Sequence, residues 1–149
     1  MSARAVAKGL CLDASVLVKL YVFEPGSREA RELVGRELAG EGNLVGPAFL
    51  PAEVLSIVRR LVHRGELLLE HADLIVSGFL SLPISEVGNP AVYRRAWEIA
   101  AELGLPVVYD TVYLAVAESQ GATFWTADAR LFEKAKIFGF VKLLGQAAD

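Results

Sequence analysis

Four carboxylates stand where short apolar runs end or helices begin. They are Asp13 after Gly9-Leu10-Cys11-Leu12, Glu53 in the first turns after Gly46-Pro47, Asp110 after Pro106-Val107-Val108-Tyr109, and Asp128 after Phe124-Trp125-Thr126-Ala127. Asp is scarce in this chain: only Asp13, Asp73, Asp110, Asp128 and Asp149 occur, and three of these five terminate apolar runs. Open α/β sheets do their chemistry outside the carboxyl ends of the strands. Carboxylates gathered at such an edge repel one another unless a cation neutralises them, and hard oxygen donors select Mg²⁺ or Mn²⁺. The expected chemistry is hydrolysis of phosphodiester bonds assisted by a metal ion.

Each acid also has a plainer role. Asp110 and Asp128 are suited to cap helices by accepting orphan backbone N–H groups, and Asp13 suits a turn. Glu53 is favoured near a helix start by the dipole. Capping does not exclude ligation, and the joint pattern, several acids at one end of different strands, carries the metal reading. Two hydroxyls strengthen it. Ser15 lies two residues after Asp13 and Thr126 two residues before Asp128, where each can orient a carboxylate or a bound water.

The elements that must position these residues follow from periodicity. Apolar runs of strand length alternate with helical patterns, which predicts a parallel sheet with crossover helices. Strands are expected near Leu10–Asp13, Leu44–Val45, Leu82–Val87, Pro106–Tyr109, Thr123–Thr126 and, at an edge, Phe140–Leu143. Helices are expected over Ser15–Tyr21, from a Ser27 cap to Ala39, Pro47–Arg64, Leu68–Phe79, from an Asn89 cap to Leu103, Thr111–Gln120 and Ala129–Lys136. Pro90 at a first helical position, and Gly65, Gly104 and Gly121 just past helix ends, follow the usual asymmetry.

The 149 residues suit a single domain with a real core, and the formal charge of −3 argues against a protein that coats nucleic acid with basic surface. It does not argue against a nuclease, because a bound ion supplies its own positive charge. Cys11 is the only cysteine, read as a buried thiol; with no intramolecular disulfide to form, a reducing cytoplasm is the expected location. The stretch Met1–Gly9 has no long apolar segment of signal-peptide type, and no apolar run approaches the ~20 residues of a membrane span.

Taken in order, Leu10-Cys11-Leu12-Asp13-Ala14-Ser15, Pro51-Ala52-Glu53-Val54, Tyr109-Asp110-Thr111-Val112-Tyr113-Leu114-Ala115-Val116-Ala117 and Thr126-Ala127-Asp128 resemble the motifs of PIN-domain ribonucleases. The match is to the VapC-type toxin branch of toxin–antitoxin systems, and it spans about Leu10 to Leu143. The resemblance implies a three-layer α/β/α sandwich with a central, mostly parallel sheet and Mg²⁺- or Mn²⁺-dependent cleavage of RNA. It also implies a homodimer and a small antitoxin partner that blocks the acidic cleft. By position, Asp13, Glu53, Asp110 and Asp128 become the catalytic and metal-binding quartet. Thr126 matches the usual Ser/Thr of the family and Ser15 its frequent hydroxyl. Thr111 departs from a common Ala, and its hydroxyl can either add a hydrogen bond or crowd the site.

Contacts to RNA or a partner are sought among cations near these motifs. Glu53, Arg60 and Arg64 fall at i, i+7 and i+11 and share one helix face. Lys19 and Arg130 flank acidic motifs. His63 and His71 are isolated and read as surface residues, and Trp97 and Trp125 as core or interface filling. The helices at Leu50–Val62 and Leu67–Leu80 carry more apolar side chains than one core-facing stripe needs, which suits a partner surface. Two other functions compete with the nuclease. One is a non-catalytic interaction module of the same fold. The other is an aspartyl-phosphate phosphatase or receiver-like domain, disfavoured because Ser15 stands where the phosphatase wants a second Asp.

Overall fold

The computed structural model describes residues 9–145, so the N-terminal stretch 1–8 weighed above as a leader lies outside it. Five short strands form one sheet: β1 (Leu10–Leu12), β2 (Leu44–Gly46), β3 (Ile84–Glu86), β4 (Thr123–Thr126) and β5 (Val141–Leu143). Their spatial order is β3-β2-β1-β4-β5, and every pairing is parallel. Parallel strands are buried on both faces and so read as continuous apolar runs. Leu10, Cys11, Leu12, Leu44, Val45 and Phe124 accordingly sit in the core.

Between the strands run α1 (Ala14–Val18), α2 (Ser27–Ala39), α3 (Leu50–His63), α4 (Leu69–Leu80), α5 (Pro90–Leu103), α6 (Tyr109–Gln120) and α7 (Ala129–Ala135). Right-handed crossovers send α1 to α4 to one face of the sheet and α5 to α7 to the other. The packing agrees: α1 meets α2 and α3, α3 meets α4, and α5 meets α6. This is the expected three-layer sandwich. The chain winds outward in both directions from β1 and β4, so the gap between their carboxyl ends is the topological switch point of the sheet.

Local chemistry explains most boundaries. Asn89 caps α5, its side chain accepting from Val92 N at 3.0 Å, and Pro90 follows at the first position. Gly104 and Gly121 end α5 and α6 in the left-handed region, at φ 66° and 62°, where a Cβ is costly. Helix α6 is buried from Thr111 through Ala117. Its seven-residue run is apolar nearly all round because it lies across β1, β2 and β4 with α5 on its outer side.

Three expectations are corrected. No strand forms over Pro106–Tyr109: Gly104 to Val108 link α5 directly to α6, Val107 is 55% exposed, and Tyr109 already opens the helix. Asp110 therefore begins a helix without ending a strand. Ser27 does not cap α2; Gly26 holds that position at φ 91°, and the Ser27 hydroxyl donates to Val22 O and accepts from Glu24 N. Helix α3 starts at Leu50, three residues after Pro47, since Pro47-Ala48-Phe49 is a turn.

Candidate functional site

The register of β1 and β4 sets the centre of the site. Leu12 pairs with Trp125, so the next residues, Asp13 and Thr126, stand side by side at the switch point. Asp13 is the N-cap of α1, its Oδ1 accepting from Val16 N at 3.0 Å and from Ser15 Oγ at 2.7 Å. Its Oδ2 accepts from Thr126 Oγ1 at 2.5 Å, a short charge-assisted contact. Thr126 is fully buried, and its hydroxyl oxygen also accepts from Asp128 N at 3.0 Å. One hydroxyl thus joins two of the acids.

Asp128 caps α7, with Oδ1 taking both Arg130 N (2.9 Å) and Leu131 N (3.2 Å). Glu53 reaches in from the first turn of α3. Its Oε1 accepts from Tyr113 OH at 3.0 Å across the top of the sheet. Asp110 lies in the first turn of α6 and accepts no side-chain hydrogen bond among the described residues. The acids therefore come from both helical layers and from the strand ends between them.

The electrostatics are those of a charge cluster. Burial pushes the Asp13 carboxyl above its ordinary value; the hydrogen bonds from Thr126, Ser15 and Val16 pull it back, and Asp128 adds repulsion. Glu53 is raised by burial, lowered by Tyr113, and raised again by Asp110 and Asp13. Asp110 is raised by burial of its inner side and then by Asp128 and Asp13. Among the described residues, no lysine, arginine or histidine forms an ion pair with any of the four. Each carboxylate offers about four lone-pair directions. Asp13 spends three, leaving one on Oδ2; Asp128 keeps Oδ2, Glu53 keeps all but one, and Asp110 keeps all. The donor set and its uncompensated charge fit a hard divalent cation. As the side chains stand, no three acidic, histidine or cysteine groups among the described residues form a ready coordination shell.

Other candidate residues divide. Lys19 is engaged locally: its Nζ contacts Glu24 Oε1 at 3.1 Å and Pro25 O at 2.9 Å, tying the turn after α1 and leaving one donor. Arg60 is exposed and lines a cavity with Glu53, whereas Arg64 is exposed beyond the end of α3 and does not line it. Arg130 is exposed at the start of α7. Thr111 neither crowds the acids nor adds to them; its buried hydroxyl donates to Ala96 O at 2.8 Å and locks α6 to α5. His63 and His71 are on the surface. Trp97 is 65% exposed on α5 and fills no core, while Trp125 is half-buried against it. Cys11 is a free, buried thiol.

Sequence reasoning passed over Tyr113 as the partner of Glu53. Spacing reaches only part of the way: Tyr113 follows Asp110 by three residues, which puts it on the same side of the helix as that acid, but nothing local points on to Glu53. It also passed over Phe49 and Tyr109, whose rings meet edge to face at 5.8 Å beside Glu53.

Comparison with known proteins adds the following. The family described as PIN domain matches residues 10–137. Ribonuclease VapC12 of Mycobacterium tuberculosis is 34% identical over 123 residues, 82% of this chain and 88% of that protein. Ribonuclease VapC9 of the same species is 30% identical over 103 residues, 69% of this chain and 75% of that one. Among solved structures, PAE2754 from Pyrobaculum aerophilum superposes with a TM-score of 0.66 at 21% identity, covering 95% of this chain and 93% of that one. VapBC2 from Rickettsia felis, bound to a DNA fragment from its promoter, gives 0.62 at 19% identity, covering 90% of this chain and 96% of the other.

Proposed function

This chain belongs to the PIN-domain family, in its VapC-type ribonuclease branch, and from that premise we propose a divalent-metal-dependent endoribonuclease that is the toxin of a type II toxin–antitoxin pair. The catalytic and metal-binding set is Asp13, Glu53, Asp110 and Asp128, with Ser15 and Thr126 as supporting hydroxyls. The observation that supports this is that four carboxylates lie close enough at the switch point for repulsion among them to raise Asp13, Glu53 and Asp110, with no cation among the described residues paired to any of the four.

A bound Mg²⁺ or Mn²⁺ supplies an activated water and shields the charge of the phosphodiester. The protein supplies position. Asp13 is fixed by three donors, so it would be the least mobile of the residues that hold the ion. Asp128 is held by its helix cap with one oxygen directed to spare. Glu53 and Asp110 carry no backbone cap, and they complete the set by rotating inward or by acting through water. Tyr113 limits that freedom for Glu53 by holding one of its oxygens. The Thr126 hydroxyl keeps Asp13 and Asp128 in fixed relation, as outer-shell donors do for metal ligands.

The partner part of the proposal is a small antitoxin. Its support is an apolar groove of about 660 Å³ between α3 and α4, lined by Leu55, Val58, Val62, Leu69, Ala72 and Val76. Leu68 just before α4, and Leu74 and Leu80 on it, are also exposed, and exposed apolar surface of this kind suits a protein partner. A cation from that partner, an Arg above all, would neutralise the carboxylates in place of the metal. A homodimer and a cytoplasmic location complete the reading; among the described residues no helix is long and apolar enough to cross a membrane.

The test is cleavage of a panel of labelled structured RNAs by the purified protein with Mg²⁺, Mn²⁺ or EDTA, beside Asp13→Asn. Metal-dependent cuts that the variant cannot make support the proposal. No cuts together with no metal binding by calorimetry return the four acids to structural roles.

A further inference from the structure

A cavity of about 380 Å³ opens beside Glu53, walled by Phe49, Ala52, Ser56, Ile57, Arg60 and Tyr109. Its aromatic side is unusual. Tyr109 is 63% exposed, yet its ring is braced edge to face by Phe49 at 5.8 Å, and Phe49 in turn by the buried Tyr113 at 5.6 Å. The row of rings ends on Glu53 through the Tyr113 hydroxyl. An exposed ring supported from behind by another ring offers a free face for stacking. Arg60, a cation, and Ser56, a hydroxyl, also line the cavity.

We infer that this cavity is a nucleobase subsite, in which an unpaired base next to the bond being cut stacks on Tyr109 while Arg60 contacts the adjoining phosphate. The inference rests on the ribonuclease reading and deepens it by assigning a residue, Tyr109, that holds a base beside the bond being cut. Three features select this occupant. Glu53 belongs both to the cavity and to the acidic set, so whatever fills the cavity is next to the reacting phosphodiester. Aromatic rings accept any base by its face, and Arg accepts phosphate, so ring and cation together match one nucleotide. A base inside a duplex is stacked on its neighbours and cannot use the ring, whereas unpaired bases can be splayed onto aromatics. An antitoxin side chain is the competing occupant. The groove between α3 and α4 adjoins this cavity and shares Ser56 and Arg60 with it, but it is larger and has no Phe, Tyr or Trp in its lining, so a protein chain has a seat there that leaves Tyr109 free.

The experiment measures the Kd of short fluorescent RNAs in the Asp13→Asn background with Mg²⁺, so that the RNA stays intact. Tyr109→Ala should weaken single-stranded RNA about tenfold, equivalent to about 1.4 kcal/mol, and Tyr109→Phe should bind as the parent does. An oligomer carrying an abasic nucleotide at the contacted position should bind Tyr109→Ala and its parent alike. Equal affinity of Tyr109→Ala and its parent for the intact single strand overturns the subsite. So does a loss that Phe fails to restore, or a loss confined to self-association or protein binding. Metal-dependent cleavage by the wild-type protein would leave the nuclease reading standing in each of those cases. An absence of both cleavage and RNA binding would overturn the two together.

Discussion

Replacing Thr126 with Val removes one oxygen and little else. Valine has the shape of threonine and the same β-branch, so the fit of β4 is retained. Two contacts vanish: the 2.5 Å donation to Asp13 Oδ2 and the 3.0 Å acceptance from Asp128 N. A hydrogen bond to a charged group contributes about 1.5–3 kcal/mol, and an orphaned buried donor costs about 1–3 kcal/mol. Asp128 is exposed, so water reaches its N–H and the second cost falls at the low end. The sum is a loss of about 2.5–4 kcal/mol at neutral pH. The sign of the pH dependence follows from Asp13. Burial already raises its pKa and Thr126 lowers it, so the variant raises it further and the penalty falls on the ionised form. The difference between wild type and Thr126→Val should therefore shrink as pH drops into the acidic range and Asp13 becomes neutral in both. Urea unfolding at neutral and at mildly acidic pH measures this, with Thr126→Ser as the control that keeps the hydroxyl. Cleavage by the Val variant should need higher pH. An equal loss at both pH values, or a Ser variant as damaged as Val, would refute the view that this hydroxyl acts through the Asp13 carboxylate.

Tyr113→Phe should cost about 1 kcal/mol of stability, move the acidic limb of the cleavage profile to higher pH because Glu53 loses the donor that lowers its pKa, and weaken Mn²⁺ binding about tenfold, as loss of an outer-shell partner does. A pH–rate profile and a calorimetric titration check this, and an unmoved acidic limb counts against it. The raised carboxyls of Asp13, Glu53 and Asp110 contribute stability that is present below the ordinary carboxylate range and lost as pH climbs through their raised values. Metal-free protein should therefore melt at a lower temperature near neutrality than in mild acid, and Mg²⁺ or Mn²⁺ should reverse the drop. Asp110→Asn should flatten the slope and blunt the metal effect; a melting temperature indifferent to metal, and equally pH-dependent in the variant, would contradict it.

How far the site was legible depended on sequence distance. Asp13 and Asp128 could be placed because each follows directly from a strand and precedes a helix, which is a local pattern. Asp110 was found for a partly mistaken reason. Pro106-Val107-Val108-Tyr109 has strand-like composition, but β-propensity expresses fit to a half-buried pleated surface. The tight packing of α5 on α6 leaves these residues no such surface, only a short exposed turn. Lys19 flanks an acidic motif in sequence, but it pairs with Glu24 across a turn that only the fold closes. The bond from Tyr113 to Glu53 spans 60 residues and two helical layers, and no spacing rule reaches that far. The Phe49–Tyr109 pair is hidden for the same reason.

Capping and ligation, which compete as explanations when each acid is taken alone, prove compatible in geometry. A helix cap engages one side of a carboxylate: both N–H groups that Asp128 receives converge on Oδ1, and in Asp13 the cap from Val16 also falls on Oδ1. The outer oxygens remain for a cation, except where Thr126 claims one lone pair of Asp13 Oδ2. The two roles therefore separate by chemistry and not by position. Asparagine keeps a side-chain oxygen suited to the cap and loses the negative charge. Asp13→Asn and Asp128→Asn should consequently fold at least as stably as the parent in metal-free buffer near neutrality while losing cleavage. Loss of the cap in Asp128→Ala should cost about 1 kcal/mol besides. If the Asn variants instead lost stability as the Ala variant does, the charge would be serving the helix dipole and not an ion, and the switch point of this sheet would be a structural joint.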